Sequence, residues 1–335
     1  TAIPMAEAVA VTLLTGFLGA DNTTMLNALL RQPAMAGTAV LVNEFGEIGL
    51  DHLLVDAVRD DAADTVLLPS GCLCCAVRGD LVRALRDLVP RVISREINRV
   101  VVETTGLADP APVIQSLMGD VALVRHFRLD GVVCVVDAVH ALASLEAHEA
   151  ARRQIAMADR IVMTKTDLEA GTLPLMAKIR LLNPSAPVFP AIRGALEAEK
   201  LLDCGLFTPQ GKVLDVQKWL NAAAFGPASN RHEGIESFCL TYHEPLHWQG
   251  IGTCLEMLIG TRGESLLRVK GILNLIGQDR PVAIHGVQHM FHEPVLLDAW
   301  PEGDTRQSRI VFITRDLDRD TIAEGLRAFE EAARA

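Results

Sequence analysis

The chain has no excess of positive charge. Its 31 Lys and Arg are outnumbered by 42 Asp and Glu, giving a formal net charge of −11. That balance argues against a non-specific hold on nucleic acid or on an anionic membrane surface. Long apolar runs are also missing. The longest, such as Ala8–Leu14 and Gly131–Val136, fall well short of the roughly 18 residues needed to span a bilayer. No Lys or Arg precedes Arg31 and Glu7 interrupts the start, so no basic n-region of a signal peptide is expected. Nor is there an even cysteine framework: of seven cysteines, three crowd into Gly71-Cys72-Leu73-Cys74-Cys75. Such spacing in a long chain does not read as a disulfide scaffold. These lacks predict a reduced protein acting in the cytoplasm, with no nucleic-acid and no membrane partner. Internal repeats and low-complexity segments are absent from the pattern.

What is present is a core-forming composition. Half of the 335 residues are apolar and 22% are charged, too apolar for disorder and long enough for two domains. The first two thirds alternate short β-branched runs with helical stretches, which predicts a mostly parallel sheet covered by helices, an α/β fold. The expected strands are Val9–Leu14, Ala39–Val42, Val66–Leu68, Val100–Glu103, Val132–Val136, Ile161–Met163 and Val188–Pro190. After the first, Met25, Leu26, Leu29 and Leu30 mark one stripe of a helix. The regularity breaks in a turn-rich stretch holding Thr208-Pro209-Gln210-Gly211 and Gly226-Pro227. We expect a first domain over residues 1–204, a linker over 205–234 and a smaller α+β domain over 235–335. In that last domain strands are expected at Ser237–Tyr242, Leu266–Leu275, Pro281–Gln288 and Ser308–Thr314, with a final helix over Arg319–Ala333.

The strand Val9–Leu14 runs into Gly16-Phe17-Leu18-Gly19-Ala20-Asp21-Asn22-Thr23-Thr24 and then a helix. A glycine-bearing loop that opens a helix is an anion site, because free N–H groups and the helix dipole face the same point. The full phosphate-loop pattern wants Gly, four residues, then Gly-Lys-Ser/Thr. Here Gly16 and Thr23 are in register, but Asp21 replaces the second glycine and Asn22 the lysine. Further along, Glu103-Thr104-Thr105-Gly106 sets a carboxylate at a strand's end, where it can reach Mg²⁺. Thr164-Lys165-Thr166-Asp167 follows another strand. An Asp there can accept both N–H donors of a guanine edge while the Lys stem lies along the base plane.

Cys72, Cys74 and Cys75 put three thiols within four residues of a loop. Thiolates at that density suit Zn²⁺, and in principle Co²⁺ or Cu(I), and leave room for Glu44 or Glu47 as a further ligand. The alternatives are three small buried side chains or a redox pair. Cys134, Cys204, Cys239 and Cys254 sit among apolar neighbours and read as packing residues. His285 and His289 are four apart in an expected strand region, about 13 Å along extended chain. Only a turn there could bring His285, His289 and His292 together, and surface or hydrogen-bonded histidines are the expectation.

Taken as a set, these segments resemble the CobW-like family of phosphate-loop GTPases, the metallochaperone branch of the SIMIBI class. Thr15-Gly16-Phe17-Leu18-Gly19-Ala20 is similar to that family's loop opening, Asn43-Glu44-Phe45-Gly46-Glu47 to its first switch, and Gly71-Cys72-Leu73-Cys74-Cys75 to its metal motif. Glu103–Pro110 and Thr164–Asp167 match its Mg²⁺-side and guanine segments, and Arg268-Val269-Lys270-Gly271 a recurring C-terminal one. The resemblance implies GTP or GDP at Gly16, Gly19, Ala20, Asp21, Asn22, Thr23, Thr24, Thr164, Lys165 and Asp167, with Thr23 and Glu103 serving Mg²⁺ and catalysis. It implies Zn²⁺ or Co²⁺ at Cys72, Cys74, Cys75, Glu47 and Glu44, coupled to GTP hydrolysis and passed to a client metalloprotein. It leaves room for a homo-oligomer. The departure at Asp21-Asn22 removes the lysine that in the family holds the β- and γ-phosphates, and predicts weak GTP binding and slow turnover. Two other readings stay open: a catalytically weak metal-binding protein on a GTPase fold, and a client-binding protein whose cysteines are structural.

Overall fold

The computed structural model describes residues 8–42, 64–67, 76–104, 106, 108–168, 171–204, 216–226 and 229–334. The chain divides into two compact units, one of residues 1–177 and 186–214, the other of residues 178–185 and 215–335.

The first unit is built on β1 (Val9–Gly16), β2 (Thr38–Val42), β3 (Asp64–Leu67), β4 (Arg99–Glu103), β5 (Phe127–Asp137), β6 (Arg160–Thr164) and β7 (Val188–Pro190). These seven strands form one sheet in the order β3-β2-β4-β1-β5-β6-β7, and every pairing is parallel. The expected strands are all found, with ends shifted by a residue or two except in β5, which starts five residues earlier than its apolar run. The polar residues at its start are buried by an ion network rather than exposed, so hydropathy alone misses them. Thr12 Oγ1 and Arg99 Nη1 donate to Asp130 Oδ2 at 3.0 and 3.3 Å, and Arg99 Nη2 reaches Asp203 Oδ1 at 2.9 Å.

Between the strands run α1 (Asn22–Leu30), α2 (Ala76–Ile93), α3 (Pro110–Gly119), α4 (Ala141–Ala147) and α5 (Glu149–Met157). In α1 the expected stripe Met25, Leu26, Leu29 and Leu30 is the buried one. Each such side chain stabilises the fold by roughly 1.5–3 kcal/mol when fully withdrawn from water. Helix α3 begins at Asp109, whose carboxylate accepts from the Ala111 N–H, with Pro110 following it. That is a capped start with proline where its missing N–H costs nothing. Strand β1 is central, and the chain leaves it for β2 on one side and reaches β5 on the other. Sheets of this kind place ligands at the carboxyl ends of the strands where the order reverses.

The second unit carries an antiparallel sheet of β8 (Asn230–His232), β9 (Ile235–Tyr242), β10 (Leu266–Leu273), β11 (Val282–Val287), β12 (Met290–Phe291) and β14 (Ser308–Arg315), in the order β12-β11-β10-β14-β9-β8. A further short strand, β13 (Val295–Leu296), pairs with β11. Its core holds Phe238 and Phe312, stacked 5.4 Å apart, with Ile251, Leu255, Ile322 and Leu326 from two helices, Trp248–Arg262 and Arg319–Arg334. The turn that the histidine spacing calls for is present. Strand β11 stops at Val287 and Gln288 takes φ 50°, so the chain doubles back. His285 and His292 then stack with centroids 4.7 Å apart, while His289 bonds the Ile259 carbonyl.

Candidate functional site

Four strand ends meet the loop Gly16–Asp21. The register sets Leu14 beside Glu103, Gly16 beside Val135, and Asp137 beside Thr164. Side chains far apart in sequence are thereby delivered to one edge of the sheet.

The loop's backbone explains its glycines. Gly19 has φ 79°, with open space where a Cβ would stand, so its backbone conformation rather than crowding selects it. Gly106 is chosen by proximity, since a Cβ there would stand 2.7 Å from the Leu18 N. Asp21 holds φ 68° at the start of α1 and makes no side-chain cap. Asp tolerates that conformation, which is how it occupies a position that the phosphate-loop pattern gives to glycine. The first-turn N–H groups of α1 are thus left without a side-chain acceptor from the cap, the arrangement that receives an anion.

Asn22 does not take over the role of a loop lysine. Its Nδ2 donates to the Gly16 carbonyl at 3.3 Å, so the amide folds back under the loop. Its Oδ1 is buried and has no hydrogen-bond partner among the described residues. The amide hydrogen bond that the sequence leaves available to Asn22 is made within the chain.

Thr23 and Glu103 are brought together, the Thr23 hydroxyl donating to Glu103 Oε1 at 3.0 Å. A hydroxyl and a carboxylate oxygen side by side are hard donors, and fit Mg²⁺ better than a soft metal. Thr24 stays exposed beside them. Behind Glu103, the Thr104 hydroxyl donates to Thr15 Oγ1 at 3.0 Å, and Gln154 Nε2 donates to the Ala108 carbonyl at 3.0 Å.

The guanine-type segment closes on the same loop. The Thr164 hydroxyl donates to the Ala20 carbonyl at 3.1 Å. Lys165 Nζ donates to the Gly19 carbonyl at 2.7 Å and to Asp137 Oδ2 at 3.0 Å, and stands 3.5 Å from Asp21 Oδ1. Burial pushes the Lys165 ammonium down, but Asp137 and Asp21 outweigh it and hold its pKa above the ordinary lysine value. Asp167 is exposed in the turn after Lys165 and makes no hydrogen bond or ion pair among the described residues.

Asp137 is the residue that sequence reasoning passed over. Its Oδ2 also lies 2.9 Å from His140 Nδ1, and its Oδ1 accepts from the Val139 N–H at 2.8 Å. Burial raises its pKa, and the bonds from His140, Lys165 and the Val139 N–H more than reverse this, leaving it below the usual carboxylate range. The signal available was its position: a lone acid ending the run Val132–Val136. Cys72, Cys74, Cys75, Glu44 and Glu47 lie outside the described residues. Cys134, Cys204 and Cys254 are buried, as packing residues would be, while Cys239 is half-buried; burial pushes the Cys134 thiol up to about 12.

Comparison with known proteins agrees in both units. Residues 10–190 match the family described as CobW/HypB/UreG, nucleotide-binding domain, and residues 235–330 match the cobalamin synthesis protein CobW C-terminal domain. The zinc chaperone YjiA of Escherichia coli is 33% identical over 320 residues, covering 94% of this chain and 96% of the relative. The zinc-regulated GTPase metalloprotein activator 1 of Saccharomyces cerevisiae is 28% identical over 363 residues, covering 95% and 82%. A crystal structure of the Zn(II)-bound YjiA GTPase from E. coli matches with a TM-score of 0.71 at 29% identity, covering 96% of this chain and 99% of that one.

Proposed function

This chain belongs to the CobW/HypB/UreG family, and on that premise we propose that it is a metal-binding GTPase that delivers zinc to a client metalloprotein in the cytoplasm, with hydrolysis coupled to metal occupancy. The observation that carries the reading is the Thr23–Glu103 pair at 3.0 Å, set at the uncapped start of α1. In this proposal the N–H groups of the loop and of the first turn of α1 receive the phosphates, with Gly16, Gly19, Ala20 and Thr24 shaping that cradle. Thr23 and Glu103 hold Mg²⁺, which supplies neutralisation of phosphate charge. Asp167 accepts from the guanine edge, and the Lys165 stem lies along the base. Hydrolysis in such a site is positioning plus electrostatics, with water as nucleophile and no covalent intermediate. Cys72, Cys74 and Cys75, with Glu47 or Glu44, take Zn²⁺ as cargo, and the same thiolates accept Co²⁺.

A second reading is favoured by Asn22, whose amide is committed to the Gly16 carbonyl. It is a protein on a GTPase fold that binds metal and client while turning GTP over poorly. Phosphate release from GTP and from ATP, with and without Zn²⁺, separates the two. The first reading expects GTP-selective turnover that responds to Zn²⁺. The second expects Zn²⁺ binding with no turnover above background. Asp167→Asn should reduce the preference for guanine by about 1–3 kcal/mol if the pair is desolvated. Equal binding of both nucleotides by the unmodified chain would overturn both guanine-based readings.

A further inference from the structure

An ammonium group has three N–H donors, and three oxygens surround Lys165 Nζ. They are the Gly19 carbonyl at 2.7 Å, Asp137 Oδ2 at 3.0 Å and Asp21 Oδ1 at 3.5 Å. The three are not equivalent. The Asp137 side chain is 7% exposed and that of Asp21 41%, so solvent screens the Asp137 contact far less. Asp137 is also tied to nearby backbone: its Oδ1 accepts from the Val139 and His140 N–H groups at 2.8 and 3.3 Å, just past the end of β5. A carboxylate held by backbone N–H groups in this way gives a flexible lysine a fixed anchor.

We propose that Asp137 is the positioning residue of the loop site: it fixes the Lys165 ammonium on the Gly19 carbonyl, so the guanine-type segment and the phosphate loop are held as one piece. The same placement leaves Lys165 beside Asp21, where it offsets the acid that this chain carries in place of the loop glycine. Asp137 touches neither phosphate nor base in this scheme and acts only through Lys165. The inference rests on the loop being a nucleotide site for its functional meaning, but the positioning itself exists in the nucleotide-free chain.

The test uses amide hydrogen exchange on the full chain without nucleotide, followed by titration with a fluorescent GDP. Asp137→Asn should speed exchange in the segment Gly16–Thr23 and leave β9, β10 and β14 of the second unit unchanged. Lys165→Met should produce the same local increase. Combining the two should add nothing to Lys165→Met alone, because Asp137 would have no lysine left to place. For GDP, Asp137→Asn should weaken binding roughly tenfold, the value of one hydrogen bond to a charged group. Unchanged loop exchange in Asp137→Asn overturns the proposal, as does a general increase across the chain or full additivity of the two changes. If GDP neither binds the unmodified chain nor protects its loop, the nucleotide reading fails on its own, and the exchange cycle still decides the part played by Asp137.

Discussion

The Lys165 ammonium stands 3.5 Å from the Asp21 carboxylate, so the acid that departs from the phosphate-loop pattern is met by a cation from the loop after β6. The loop's formal charge is accordingly less hostile to phosphate than the substitution alone suggests. The compensation is partial, because Lys165 is shared with Asp137 and is bound to the Gly19 carbonyl.

The loop pair therefore still limits affinity. Two unit charges about 4 Å apart interact by roughly 4 kcal/mol at an effective dielectric near 20. The Asp21 side chain is 41% exposed, so water and Lys165 both reduce that figure. A remaining third of it is about tenfold in binding. The double change Asp21→Gly with Asn22→Lys should raise GTP affinity by at least about that factor and speed phosphate release, with GDP gaining less. Equal binding and turnover by the unmodified chain would show that another cation already serves the phosphates.

The thiol cluster should bind one transition metal per chain. Titration of the reduced protein with Co²⁺ should give a thiolate-to-metal charge-transfer band that is lost in Cys74→Ala. Binding should weaken as pH falls, since protons compete for the thiolates. A reduced chain without such a band contradicts the metal assignment.

Stability should depend on a different acid. Asp130 is fully buried between Thr12, Arg99 and the Asp203 N–H, and burial pushes its pKa up despite the two arginines near it. Asp130→Ala would leave Arg99 inside the sheet without that partner, at a cost of about 3–5 kcal/mol. Chemical denaturation should show the loss in the first unit's transition. A change below about 1 kcal/mol, within the range of surface substitutions, would mean that Asp203 alone satisfies the arginine.

Acid sensitivity should run through Asp137. Its pKa is lowered in the folded chain, so its contribution is present above the ordinary carboxylate range and is lost as pH falls through the folded value. The stability gap between the unmodified chain and Asp137→Asn should be widest near neutrality and close in acid. A gap that widens on acidification would reverse the sign of the shift.

Much of this was legible along the chain. Short β-branched runs located the seven strands of the parallel sheet, and the buried stripe of α1 followed from Met25, Leu26, Leu29 and Leu30. The loop, Glu103 and Lys165 could be picked out as chemistry because each stands at or directly after the end of a strand. In a parallel sheet all strand ends of one kind lie on one edge, so order in sequence is nearly position in space.

Sequence alone determined which described segments end up at the strand ends around the loop, since local pattern and residue type decide strand, turn and helix start. Tertiary structure decided the partners. That Asn22 bonds Gly16, that Lys165 divides itself among Gly19, Asp137 and Asp21, and that His285 stacks on His292 all depend on register or on one turn. A side chain's choice among several oxygens is set by differences of an ångström or less between strands distant in sequence, and no local pattern encodes these.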